Sequence, residues 1–244
     1  MVEKLADLVR SRQPCVTLTG AGISTESGIP DFRSPSGIWT QYDPMEYATI
    51  SAFHRDPSKV WEFYGPRLGM LTRAEPNAGH RVLAGLERRG LVLAVVTQNI
   101  DGLHQRAGSR EVIEVHGSIR TASCLACGAQ VPLADIVAAL ATAPAPPCPR
   151  CGEILKPDVV MFGELLPVEA IERAFALAAA ARLLLVVGSS LEVHPVAGLP
   201  DETLSGGGAV AIVNRGGTPY DRRATLRIDG SSGETLTDVA EALC

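Results

Sequence analysis

The sequence predicts a doubly wound, mostly parallel α/β sheet that carries two inserts. Three observations lead there. Short aliphatic, β-branched runs alternate with segments of helical periodicity along most of the chain. Residues 91–96 (LVLAVV) and 183–187 (LLLVV) are apolar without alternation, as expected of parallel strands covered on both faces. Segments 34–76 and 118–157 interrupt the pattern, the first rich in proline and aromatics, the second holding two Cys-x-x-Cys pairs.

Leu5, Leu8 and Val9 recur at helical spacing, so residues 3–12 read as a helix. Residues 15–19 form a β-rich run that ends at Gly20-Ala-Gly22, a strand followed by a glycine turn and a helix start. In 34–76, Pro35, Pro44, Pro57, Pro66 and Pro76 alternate with Trp39, Tyr42, Phe53, Trp61, Phe63 and Tyr64, which reads as packed short helices. Residues 77–89 read as helix with Gly90 as its stop, then 91–96 and 112–115 as strands. After the cysteine insert come helix 167–181, strand 183–187, helix 196–205, strand 209–213, edge strand 224–228 and helix 234–243. The expected division is a large domain of 1–33, 77–117 and 158–244. A helical module, 34–76, and a zinc-binding module, 118–157, form a smaller lobe. Ligands in such sheets bind outside the carboxyl ends of the strands.

The 244 residues are 46% hydrophobic and 20% charged, a globular mix. With 22 basic and 27 acidic side chains the net charge is −5, so there is no basic excess to suit nucleic acid. The longest apolar stretch, 174–188, is broken by Arg182 and falls short of the roughly 20 residues that span a bilayer. Glu3, Asp7 and Arg10 interrupt any signal-peptide core. The expectation is a compact cytoplasmic monomer with no membrane and no nucleic-acid partner.

Cys124-x-x-Cys127 and Cys148-x-x-Cys151 are separated by 20 residues. Two such knuckles can place four thiolates tetrahedrally on one Zn²⁺, each followed by a glycine (Gly128, Gly152) that permits the tight turn. Four thiolates leave no position for water or substrate, so this zinc is structural. Gly20-Ala-Gly-Ile-Ser-Thr-Glu-Ser-Gly28 suits a dinucleotide pyrophosphate. Thr25 stands where the usual dinucleotide fingerprint has Gly or Ala, and no acidic residue follows a second strand at the expected distance. An ordinary NAD dehydrogenase therefore fits poorly. Arg33 can neutralise phosphate, and Phe32 can cover a reactive face. Gln98, Asn99 and Asp101 lie just beyond an apolar strand, where a ligand site or a helix N-cap is expected.

Together these segments resemble the sirtuin family of NAD-dependent protein-lysine deacylases. The matching pieces are Gly20 to Arg33, Thr97-Gln-Asn-Ile-Asp-Gly-Leu-His104, His116-Gly117, the cysteine quartet, Phe162-Gly-Glu164, Gly188-Ser-Ser190 and Val213-Asn214, in the family's order. Gly188-Ser-Ser190 replaces the commoner Gly-Thr-Ser, and Val196 stands where Ala is frequent. The resemblance implies a Rossmann-like sheet with NAD across its carboxyl ends. It assigns Gly20, Ala21, Gly22, Ile23, Ser24, Pro30, Asp31, Phe32, Arg33, Trp39, Gln98, Ile100, Gly188, Ser189, Ser190, Asn214, Arg215, Gly216 and Ser232 to the cofactor. Asn99 and Asp101 would hold nicotinamide and its ribose. An acyl-lysine peptide would add as a strand between the segment Val159 to Glu164 (Val159, Val160, Phe162, Gly163 and Glu164) on one side and the loop Leu191 to His194 (Leu191 and Val193) on the other. His116 would accept a proton from the ribose hydroxyls after the acyl oxygen displaces nicotinamide. The products would be nicotinamide, free lysine and O-acyl-ADP-ribose.

Tyr64 and Arg67, three residues apart, resemble the Tyr-x-x-Arg of the branch that accepts succinyl- and malonyl-lysine, although Pro66 is expected to start a new turn between them. A guanidinium binds a terminal carboxylate bidentately while a phenol donates a further bond. A mono-ADP-ribosyltransferase using the same NAD site and a non-enzymatic binding module are the competing readings.

Overall fold

The computed structural model describes all 244 residues. Its elements in chain order are α1 (Val2–Ser11), β1 (Cys15–Thr19), α2 (Pro44–Tyr47), α3 (Ile50–Arg55), α4 (Pro57–Arg73), α5 (Ala78–Arg88), β2 (Ala94–Thr97), α6 (Leu103–Ala107), β3 (Val112–Glu114) and β4 (Gly117–Ser123). They continue with β5 (Gln130–Pro132), α7 (Leu133–Leu140), β6 (Lys156–Val159), α8 (Val168–Ala180), β7 (Leu183–Val187), α9 (Leu199–Ser205), β8 (Ala209–Val213), β9 (Leu226–Ile228) and α10 (Ser232–Ala242). No helix is long and apolar enough to cross a membrane.

Six strands make one sheet in the order β3-β2-β1-β7-β8-β9, and every neighbouring pair is parallel. The order runs outward from β1 one way and from β7 the other, so the topological switch lies between them. Alternate side chains of the all-apolar strands serve opposite faces. Leu183, Leu185, Val187, Ala211 and Val213 pack with α1, α5 and α10. Leu184, Val186, Val210 and Ile212 pack with α8 and α9. Each buried Leu or Val contributes about 1.5–3 kcal/mol, so this two-sided burial makes the sheet the rigid part of the molecule.

The two inserts share a third core of 22 buried residues. Trp61, Phe63 and Leu68 of α4 join Ile119, Val131, Ile136, Leu155 and Met161, and Trp61 Nε1 donates to the Leu155 carbonyl at 2.8 Å. β5, β4 and β6 form a small antiparallel sheet beneath α4.

Several elements differ from expectation. β2 starts at Ala94 rather than at residue 91: Gly90 turns left-handed (φ +72°), and the amides of Leu91 and Val92 close on the Leu86 carbonyl. The Gly20–Gly22 turn leads into a 3-10 helix, Ala21–Ser27, rather than a regular α-helix, and Val196–Gly198 is likewise 3-10 before α9. α4 runs unbroken through Pro66. The proline removes one backbone bond, and burial of Trp61, Phe63, Tyr64, Leu68 and Leu71 on either side holds the helix together. Patterning missed α6, α7, β4, β5 and β6; α7 (LADIVAAL) lacks a clear polar face.

The ligand atoms of Cys124, Cys127, Cys148 and Cys151 all lie within 4.8 Å of one another. Cys124 and Cys151 sulfurs are 3.4 Å apart and those of Cys127 and Cys148 3.6 Å. Zn–S bonds of about 2.3 Å in a tetrahedron put sulfurs about 3.8 Å apart, so the quartet fits one zinc ion. Gly128 and Gly152 adopt φ of +70° and +84°, the turns under the metal. Metal analysis of purified protein should find one zinc per chain, and Cys148→Ser should lose it and lower the melting temperature. A folded, zinc-free wild type would overturn the assignment.

Candidate functional site

β1, β2 and β7 end side by side, with Thr19 level with both Thr97 and Val187. The chain leaves β1 and β7 through glycine. Gly22 N–H donates to the Gly188 carbonyl at 2.8 Å, and Gly188 N–H to the Val213 carbonyl at 2.9 Å. A Cβ on Gly188 (φ +61°) would sit 2.3 Å from the Ile23 nitrogen, and one on Gly22 2.8 Å from the Gly188 Cα. The two loops therefore touch backbone to backbone, which only glycine allows.

Ser24 follows that contact and is buried. Its hydroxyl donates to Asp101 Oδ2 at 2.7 Å and accepts from Asn99 Nδ2 at 3.1 Å. Asn99 Nδ2 also reaches the Gly20 carbonyl at 3.2 Å. Asp101 Oδ1 accepts from the Leu103 amide at 2.9 Å, so this carboxylate ties down the first turn of α6 as well. Burial raises its pKa, opposed by the Leu103 amide and the Ser24 hydroxyl. Behind Ser24 sits His80, held near pKa 4 by burial and bonded through Nδ1 to Asn77 Oδ1 at 3.0 Å.

His116 follows β3 and precedes β4. Its Nδ1 lies 3.1 Å from the Gln98 carbonyl. A carbonyl only accepts, so Nδ1 carries the hydrogen and the neutral ring keeps its lone pair on Nε2. Burial lowers the pKa below the ordinary 6.5, with the Gln98 bond opposing. Gln98 also donates through Nε2 to Ser189 Oγ at 2.9 Å.

These groups open into a cavity of about 810 Å³. Of the residues predicted for cofactor, Gly20, Ala21, Gly22, Ser24, Pro30, Asp31, Phe32, Arg33, Trp39, Gln98, Asn99, Ile100, Asp101, His116, Gly188, Ser189, Ser190, Asn214, Arg215 and Gly216 line it. Ile23 lies in the core beneath the loop, and Ser232 opens α10, buried and outside the lining. Of those predicted for substrate, Tyr64, Arg67, Val159, Val160, Phe162, Gly163, Glu164 and Val193 line it, while Leu191 is buried in the sheet's core. Sequence reasoning missed Ile38, Met70 and Leu71, while Glu192 and His194 fall within the predicted peptide loop 191–194. Leu71 stands seven residues after Tyr64 and four after Arg67, so helical spacing could have found it. Ile38 carries no such signal.

Arg67 lies between aromatic rings. Its guanidinium carbon is 3.7 Å from the Phe63 ring centroid and 4.6 Å from that of Tyr42, and Nη1 donates to the Phe63 carbonyl. It pairs with no carboxylate, in contrast to Arg33, which meets Glu192 at 3.1 Å. Burial lowers the Arg67 pKa, opposed chiefly by Tyr42. The amides of Gly163, Glu192 and Val193, which line the cavity, and of Leu165 beside it donate to no protein acceptor.

A cavity of this size, walled by the glycine contact, Arg33 and the Asn99–Asp101 pair, fits a dinucleotide. The model of the Sir2 family matches residues 20–195. The NAD-dependent protein deacylase 2 of Pyrobaculum aerophilum is 46% identical over 237 residues, covering 97% of this chain and 94% of the relative. The NAD-dependent protein deacetylase of Thermotoga maritima is 43% identical, covering 93% and 92%. A solved Sir2 complex with a p53 peptide and NAD+ superposes with a TM-score of 0.92 at 41% identity, covering 99% of this chain and 98% of that one.

NMR titration of the His116 ring should give a midpoint below 6.5, with His80 remaining neutral down to about 4. A His116 midpoint at or above 6.5 would mean that the ring is more solvated than its burial implies.

Proposed function

The chain belongs to the Sir2 family, and we propose on that premise that it is an NAD-dependent protein-lysine deacylase yielding nicotinamide, free lysine and O-acyl-ADP-ribose. The observation that carries this reading is His116, whose Nδ1–H is held by the Gln98 carbonyl and whose Nε2 is left free beside Asn99 and Asp101. When bound, NAD supplies a ribose carbon that the acyl oxygen attacks as nicotinamide departs.

The chain's own residues supply the rest. The Gly20–Gly22 loop, Arg33, Ser189, Ser190 and Asn214 would hold the diphosphate and riboses. Asn99 and Asp101, cross-linked through Ser24, would orient the nicotinamide end. Phe32, tilted against Trp39 with ring centroids 5.1 Å apart, would exclude water from the reacting carbon. Nε2 of His116 takes a proton from a ribose hydroxyl, and its lowered pKa keeps it ready to accept at neutral pH. The peptide backbone pairs with the free amides of residues 163, 165, 192 and 193, so selectivity for flanking sequence is loose.

We infer further that the acyl pocket accepts a terminal carboxylate, as in succinyl- or malonyl-lysine. Arg67 supports this. Its guanidinium faces the cavity with no acidic partner, and Tyr64 lies one turn away on α4. Stacking on Phe63 and Tyr42 holds the fork in place before any ligand arrives.

Incubation with NAD and one lysine peptide, acetylated or succinylated, followed by mass spectrometry, tests the whole reading. Nicotinamide, free-lysine peptide and acyl-ADP-ribose should appear together. ADP-ribose attached to protein without deacylation would instead indicate a transferase. His116→Ala should lower turnover by about 10²–10⁴-fold while NAD still binds. Arg67→Met should cut desuccinylation by about 10- to 100-fold, the value of one charge-assisted contact, and deacetylation far less. Equal losses would make Arg67 a packing residue only.

A further inference from the structure

Lys156 is the only lysine or arginine among the buried residues. It opens β6, and its ammonium has three partners for three donors. Nζ donates to the carbonyls of Pro157 at 3.0 Å and Val159 at 2.9 Å, and meets Glu164 Oε2 at 2.9 Å. The same Glu164 oxygen accepts from the Met161 amide at 2.8 Å. The ammonium thus closes a loop from the strand that leaves the cysteine knuckles to the far end of residues 159–164.

That segment has few other supports. Val160 N–H donates to the His116 carbonyl at 2.9 Å. Phe162 exchanges bonds with Ala48 and Ile50. Beyond Phe162, Gly163 turns left-handed (φ +89°), and Gly163 and Leu165 have unpaired amides. The Glu164 backbone closes a turn on the Met161 carbonyl at 3.0 Å, while its carboxylate is held by Lys156 and the Met161 amide.

We propose that Lys156 is a positioning residue for the acylated peptide, acting through Glu164 and the Val159 carbonyl. The proposal rests on the reading of 159–164 as one wall of the peptide groove. Without the ammonium, a mostly buried carboxylate and two carbonyls lose their donor, and the wall rearranges to reach water. The loops after β1 and β7, read as the diphosphate site, follow strands of the other sheet.

The test compares Lys156→Met and Lys156→Arg with wild type in the zinc-loaded protein. Lys156→Met should raise the acetyl-peptide KM by about 10-fold, with a smaller change in kcat. NAD binding measured by calorimetry without peptide, and zinc content, should match wild type. Lys156→Arg should restore part of the peptide KM, since a guanidinium also offers several donors. Should Lys156→Met fail to fold, Glu164→Gln removes the same ion pair and should raise the peptide KM in the same direction. An unchanged peptide KM in the folded variants, or equal losses in NAD and peptide binding, would overturn the proposal. A wild type that binds NAD but never deacylates a peptide would sink the underlying reading instead.

Discussion

The backbone contact between Gly22 and Gly188 is the constraint on which the cleft depends. Two parallel strands deliver their chains into one space, and a side chain on Gly188 would strike the Ile23 nitrogen. Because no Cβ intervenes, the loop after β1 lies flat across the end of β7. Ser24 is thereby brought under Asn99 and Asp101, which arrive from β2. Loosening that contact would separate the hydroxyl from the carboxylate and carboxamide that it links.

Gln98 shows how little chain this architecture needs. Its carbonyl sets the tautomer of His116, and its side chain reaches Ser189 on the neighbouring loop. One residue at a strand end therefore joins His116 to the loop that follows β7. The sheet is rigid enough to hold these bonds because both its faces are buried, and the titrating groups pass their chemistry to loops anchored on it.

The smaller core does a different task. α4 presents Tyr64 and Arg67 to the cavity on one face and drives Trp61 into the small sheet on another. The cysteine knuckles brace that sheet at its far end, and β6 leads from them directly to the Phe162–Glu164 segment. The cysteine cluster is thus joined through β6 to the Phe162–Glu164 wall of the cavity, with Lys156 between them.

Motifs with unusual residues at fixed spacing were legible without coordinates. The cysteine quartet depends on chemistry that few residue types provide, so its spacing announces it; the glycine loop, Asn99, Asp101 and His116 were singled out by the family resemblance. Also legible were the strands β1, β7 and β8, whose bounds match the β-rich and apolar runs. The start of β2, the 3-10 course of 21–27 and the continuity of α4 through Pro66 were not, because each is decided by competing backbone bonds and packing from distant segments. The same holds for the state of each polar group. Sequence named His116 as a base; only the fold, by placing the Gln98 carbonyl against Nδ1 and burying the ring, decided which nitrogen accepts the proton and in which direction its pKa moves.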